Sequence, residues 1–282
     1  MRTSLPIFLL WAVLGLSLAA AEPETALVFT KSSGYEHSIV ARRGQAPSFA
    51  ETRLQQMLET RGFAVECTKD GTVFDGDLSR FKLFVFFTHG DLLEAGKDGQ
   101  PPMTPAGKEA LLKAIEGGTP FVGLHSAATT FVTKDGPPDA YIRMIGGAFE
   151  AHTWTQDGTV VVVPPAFPGL ERRPGPVTLR EEWTKLRQLD PAIRVILGLE
   201  TKDMDPVKGK AYRSLPMHPV AWVKMHGSGR VFYNSMGQEL PVWDSELFTV
   251  TMEVGLDWAL GKTRAEATPN LLSTMPGASV RE

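Results

Sequence analysis

Three short and almost wholly apolar runs dominate the chain: Ala26 to Thr30 (ALVFT), Phe81 to Phe87 (FKLFVFF) and Pro120 to Leu124 (PFVGL). Each run stops at a polar loop. A strand with one wet face alternates apolar and polar residues. A run without alternation needs cover on both faces, as a parallel sheet between helices supplies. The intervening sequence has helical spacing. Phe49, Leu54, Met57 and Leu58 recur on one side of Phe49 to Arg61, with Ser48 as N-cap and Gly62 as stop. Thr104-Pro105 starts a second helix, with Leu111, Leu112 and Ile115 on its apolar side and Gly117-Gly118 at its end. Phe63 to Cys67 adds another strand. Strand and helix in alternation predict a parallel sheet flanked by helices.

The second half reads differently. Thr159 to Val163, Ile193 to Leu199, Val220 to Met225 and Val231 to Tyr233 predict strands with hairpin links, and His226 to Arg230 is a Gly-rich turn between the last two. Leu247, Val250, Val254 and Trp258 give a closing helix over Ser245 to Leu260. The expected fold is therefore α/β, a mostly parallel sheet with added antiparallel strands. No repeat or linker divides residues 22–282, which read as a single domain. Residues 1–21 read as a signal peptide: Arg2, an apolar run from Leu5 to Leu18, then Ala19-Ala20-Ala21. That run is shorter than the roughly 20 residues a membrane span needs. Export to the periplasm or beyond is expected, with no membrane insertion after cleavage; homo-oligomerisation is left open. The chain has 29 basic and 32 acidic residues, so it lacks the basic excess of a nucleic-acid binder. Its one cysteine, Cys67, excludes an internal disulfide and a multi-cysteine zinc site.

Ligands of open parallel sheets bind beyond the carboxyl ends of the strands. The loops after the three apolar runs hold His37, His89 and His125, three of the six histidines. Gly123-Leu124-His125-Ser126-Ala127 has the form of a nucleophile elbow, with histidine where serine or cysteine would stand. Main-chain N–H groups at a helix start there would disfavour a protonated ring, so a neutral His125 is expected near pH 7. Trp154, Trp183, Trp222 and Trp243 are candidates for stacking on sugar rings, with core packing the better reading for Trp222. Asp91 reads as a cleft residue or a turn cap, Arg230 as a substrate grip or a salt-bridged strand residue, and Glu150 as a neighbour of His152 on one strand face. No Ser/Thr-rich phosphate loop follows the first strand, so neither flavin nor nicotinamide is expected.

Six elements follow in order: GYEHSI (Gly34 to Ile39), GGTPFVGLHSA (Gly117 to Ala127), IGGAFEAHT (Ile145 to Thr153), REEW (Arg180 to Trp183), HPVAWV (His218 to Val223) and GSGRVFYNSMGQ (Gly227 to Gln238). Together they resemble the ThuA-like (trehalose utilisation) family of the class I glutamine amidotransferase-like superfamily. The likeness runs from about Ala26 to Gly261. It implies a flavodoxin-like core and a carbohydrate context. It implicates His125 and His152, the acidic pair Glu181 and Glu182, and Tyr35 and His37 in the first motif. His89, Arg230 and Gln238 join Tyr35 and His37 as candidates for substrate contact. Two departures stand out. Family members carry a histidine after the glycine of the last hairpin strand, where this chain has Gln238 after Gly237, and Thr184 follows Trp183 where the family favours Tyr. Glutamine forms hydrogen bonds but carries no proton near neutral pH.

The amidotransferases of this superfamily use an elbow cysteine. Here His125 takes that place and Cys67 lies on a different strand, so amide transfer through a cysteinyl intermediate is not expected. The reading that remains is an enzyme acting on a keto-sugar or glycoside, as lyase, hydrolase or isomerase, with His125, His152 and Glu182 as its catalytic groups. Its alternative is a carbohydrate-binding relative without chemistry. His125 and His152 suit either a divalent metal ion or direct proton transfer.

Overall fold

The computed structural model describes residues 23–172, 175–205 and 212–281. The segment read as a signal peptide lies outside the described residues. No helix among the described residues is long and apolar enough to cross a membrane.

The first half builds the expected parallel layer. β1 (Thr25–Phe29), β2 (Ala64–Thr68), β3 (Phe81–Phe86) and β4 (Phe121–Leu124) alternate with α1 (Phe49–Glu59) and α2 (Pro105–Glu116). Both helix starts follow their sequence signals. Ser48 and Glu51 form a reciprocal capping box on α1, and Thr104 caps α2 with Pro105 in its first turn. After α3 (Ala140–Ile145) the chain enters β5 (Ala148–His152), β6 (Gln156–Val162), β7 (Val177–Glu181), β8 (Thr184–Arg187) and β9 (Arg194–Glu200). The hairpin β10 (Met217–His226) and β11 (Gly229–Asn234) leads to α4 (Glu246–Ala259) and the short α5 (Leu271–Thr274).

Nine strands form one sheet in the order β2-β1-β3-β4-β11-β10-β9-β6-β7. β1 pairs in parallel with β2 and β3, β4 with β3, and β11 with β4. From β10 outward every pairing is antiparallel. The order 2-1-3-4 is the flavodoxin-like winding, with the returning β11 as fifth parallel strand. β5 and β8 form a separate two-stranded ribbon.

The apolar runs divide their residues between two cores, one on each sheet face. Ala26, Val28, Leu83 and Val85 pack with Leu54 and Leu58 of α1 and Met252 and Leu256 of α4. Leu27, Phe29, Phe84 and Phe86 pack on the other side with Leu111 and Ile115 of α2 and Ile142 of α3. The period of two is present but masked, because both faces are buried. Trp183, Trp222 and Trp243 are all within these cores or between them, at most 1% exposed. Burial removes Trp183 and Trp243 from the candidates for sugar stacking.

Candidate active site

β1, β3 and β4 run in parallel and deliver their following loops to one end of the sheet. His37 follows β1, His89 follows β3 and His125 follows β4. The winding reverses direction between β1 and β3, and such switch points open a crevice at the strand ends. A cavity of about 430 Å³ lies there. Its walls include Tyr35, His37, His89, His125, Ser126, His152, Trp154 and Glu182.

His125 is held by its backbone. Its φ is +40°, in the left-handed region that side-chain-bearing residues seldom adopt. The Tyr233 hydroxyl donates to the His125 carbonyl at 2.7 Å, and His125 Nδ1 lies 2.9 Å from the Ser235 carbonyl oxygen. A carbonyl only accepts, so Nδ1 carries hydrogen there. Both clamps come from β11 and the segment after it. The elbow therefore exists in geometry, but it opens a 3₁₀ turn over His125–Thr129 instead of an α-helix.

Glu182 joins the site from a sheet crossing. β7 ends at Glu181 in the main sheet, and β8 begins at Thr184 in the ribbon. The two residues between must turn from one layer to the other, and Glu182 projects into the cavity. Its Oε2 lies 3.5 Å from His125 Nε2, and its Oε1 lies 3.2 Å from His152 Nδ1. His152 ends β5 and is half exposed. The neighbouring Glu181 points the opposite way. It is fully buried, and its carboxylate accepts from the main-chain N–H of Gln238 at 2.8 Å and of Glu239 at 3.3 Å. Glu181 thus anchors the loop after β11.

The charges follow from this packing. Burial, the largest influence on His125, disfavours its imidazolium. The Glu182 hydrogen bond, the Glu181 charge and the Ser235 carbonyl outweigh burial, and the pKa stands above the ordinary histidine value. The direction is opposite to the one expected from the turn's N–H groups alone, because two carboxylates lie beside the ring. Burial also works against ionised Glu182, but hydrogen bonding to His125 and the charges of His125, His152 and His37 hold it below the usual carboxylate range. His37 is pushed down to about 3, first by burial and then by the charge of His125. His89 is lowered by burial. Burial raises Glu181 to about 7. The site therefore sets His125 and the Glu182 carboxylate side by side, each favouring the other's charged form, next to His37 and His89, whose charged forms burial disfavours.

The other sequence candidates divide. Tyr35 and Trp154 flank the cavity mouth, 60% and 77% exposed, as ring-stacking residues would have to be. His37 and His89 line the wall. Gln238 is one layer back. Its N–H is committed to Glu181, its side-chain Oε1 is buried without a hydrogen-bond partner, and its influence on the cavity passes through His37, whose protonated form it favours. Arg230 is not part of the site. It begins β11 at the far end of the sheet, where its Nη1 donates to the carbonyls of Trp258 at 2.9 Å and Thr263 at 3.2 Å. The Gly-rich turn lies at the entry end of a strand parallel to β4, whereas the cleft is at the exit end. Asp91 caps a turn through the Leu93 N–H, and Glu150 pairs with Lys185. The pairing of His125 with His152 as metal ligands also needs revision. Among the described residues, His37, His125 and Glu182 are those whose ligand atoms all lie within 4.8 Å of one another, whereas His152 Nδ1 lies 3.2 Å from the other oxygen of Glu182. Cys67 is on β2, its thiol pushed up to about 12 by burial, which leaves no thiolate for nucleophilic chemistry.

Known proteins give the fold its relatives. The chain is similar to a putative ThuA-like protein from Bacteroides uniformis ATCC 8492, with 18% identity and a TM-score of 0.63 over 90% of this chain and 97% of that one. A putative ThuA-like protein from Parabacteroides merdae ATCC 43184 is similar at 16% identity and a TM-score of 0.59, over 86% and 91%. A β-galactosidase from Rahnella sp. R3 shares the fold over 86% of this chain but 32% of its own, at 17% identity and a TM-score of 0.50. No curated protein matches the chain in sequence. The family model for ThuA, described as trehalose utilisation, matches residues 25–259. With nearly all of the described chain inside that match, this protein belongs to the ThuA family.

Proposed function

We propose that the chain is an exported enzyme of carbohydrate metabolism that acts by proton transfer on a keto-sugar or a keto-glycoside. The observation that carries the reading is the convergence of His125, His152 and Glu182 on one cavity, with an acid and a base already paired. A hydrogen on the carbon next to a ketone is the acidic C–H of a sugar, and removing it needs a positioned base and a donor for the developing oxyanion. Glu182, ionised across the neutral range, suits the base. His125 beside it, whose protonated form the two carboxylates favour, suits the donor. His152 at the half-exposed rim can return a proton to a departing group. A proton-transfer scheme asks for no protein nucleophile, and Ser126 has no base within hydrogen-bond reach, its Oγ being buried without a partner. Tyr35 and Trp154 supply the aromatic faces on which a pyranose ring stacks. The apolar run over Leu5 to Leu18 supports export.

The second reading, a carbohydrate-binding relative without chemistry, draws on Gln238 in place of a histidine. Purified protein incubated with oxidised disaccharides separates the two. Consumption of the keto-sugar with release of a monosaccharide or an isomer supports the enzyme. Saturable binding with the sugar recovered unchanged supports the binding protein and overturns the proposal.

A further inference from the structure

We infer that His37, His125 and Glu182 bind one first-row divalent transition-metal ion at the floor of the cavity. Three observations carry this. First, the ligand atoms of the three residues lie within 4.8 Å of one another, contributed by three separate parts of the fold. Second, His125 Nδ1 is committed to the Ser235 carbonyl, so the ring in its neutral form turns a bare Nε2 lone pair toward Glu182 Oε2 at 3.5 Å. Two acceptors facing each other repel unless a cation or a proton lies between them. Donors on one tetrahedral ion, each about 2.0–2.2 Å from it, lie about 3.4 Å apart. The observed spacing fits an ion between them better than it fits a direct hydrogen bond. Third, His37 is 6% exposed, and its Nδ1 is buried without a hydrogen-bond partner. A buried polar nitrogen without a partner costs free energy that a ligand would recover.

The surroundings match what metal ligands need. A backbone carbonyl orients His125, and His152 Nδ1 contacts the oxygen of Glu182 that faces away from His125, as outer partners of ligating groups do. Two imidazoles and one carboxylate favour zinc, manganese, iron or cobalt over magnesium or calcium. Three protein ligands would leave positions open on the ion, inside a cavity that Tyr35 and Trp154 also line. There a carbonyl oxygen of the substrate proposed above would complete the shell, the ion then standing in for the His125 proton as the group that stabilises the oxyanion.

The test is titration of the full chain, stripped with chelator, with cobalt(II) chloride. Visible absorption is followed, and crystals grown with the ion are then mapped by anomalous scattering. The expected result is one ion per chain, located between His37, His125 and Glu182, with affinity reduced on the order of 100-fold in Glu182→Gln. No stoichiometric ion in the folded wild-type chain, or an ion elsewhere, overturns the inference, and the wild-type map decides this whether or not the variant folds. The failures of the two proposals are distinguishable. An ion bound here with no sugar turned over sinks the proposed function alone. Full turnover after chelation, with no ion recovered, sinks the metal site alone.

Discussion

His125 shows at the scale of one residue how the fold sets up reactivity. Its left-handed φ would cost free energy in an isolated peptide, and the Tyr233 hydroxyl and Ser235 carbonyl hold it in place. The side chain is 3% exposed, so truncation to alanine would leave the Ser235 carbonyl unpaired. His125→Asn is the cleaner probe, because asparagine tolerates the left-handed region and keeps a polar tip. We expect it to remain folded, with a loss of about 1–3 kcal/mol in urea unfolding. We expect keto-sugar turnover to fall on the order of 100-fold or more. Unchanged turnover in a folded His125→Asn would make the residue structural.

Elements that bury both faces were legible in the sequence, as was the β2 edge strand, but the opposite edge strand β7 and the ribbon strand β8 were not. β1, β3 and β4 stand out as apolar runs, and Ser48, Thr104 and Ser245 mark helix starts through side chains that cap them. β7 (VTLRE) at the sheet edge alternates partly buried with exposed residues, and β8 is four residues long. Neither produces a run long enough to detect. Glu182 lies between these two, so its place in the cleft came only from the family resemblance and not from periodicity. The misplacement of Arg230 has the same origin: a glycine-rich turn says that a hairpin exists but not which end of the sheet it occupies. Close packing between elements was likewise hidden. Gly255 of α4 lies so near β11 that an added Cβ would be 2.2 Å from the Phe232 ring. Gly255→Ala is therefore expected to destabilise by about 1–3 kcal/mol through overpacking, although alanine favours helix. A lowered melting temperature with cleft activity retained at low temperature is the expected readout, and a stabilised variant would show that the helix can move away.

Across the whole molecule, buried carboxylates tie the layers together and set the acid limit of the fold. Glu51 accepts from Thr30 Oγ1 at 2.6 Å and takes Arg42 through both oxygens, joining α1 to the end of β1. Asp190 pairs with Lys224 of β10 and with Arg281 near the C-terminus, at 2.6 Å from the latter. Burial opposes both charges. The Arg42 and Thr30 hydrogen bonds on Glu51, and the Lys224 contact on Asp190, overcome it and hold both pKa values below the ordinary range. A carboxyl lowered in the folded state contributes stability that is present above its unfolded value, about 4, and is lost as pH falls through the folded value. Urea midpoints are thus expected to drop steeply below about pH 4, with Asp190→Asn about 3 kcal/mol less stable at pH 7. A midpoint indifferent to acid would contradict this. The parallel half of the sheet supplies His37, His89 and His125, and the antiparallel half returns Glu182 to meet them, so the cleft exists only when both halves are folded. The most direct test of that assembled site is proton exchange on a keto-glycoside in D2O, followed by NMR at the carbon next to the ketone. The account predicts deuterium entry with the wild-type protein, and loss of that exchange on the order of 100-fold or more in a folded Glu182→Gln. Exchange at the uncatalysed rate with wild-type protein, or exchange undiminished in the variant, would contradict it.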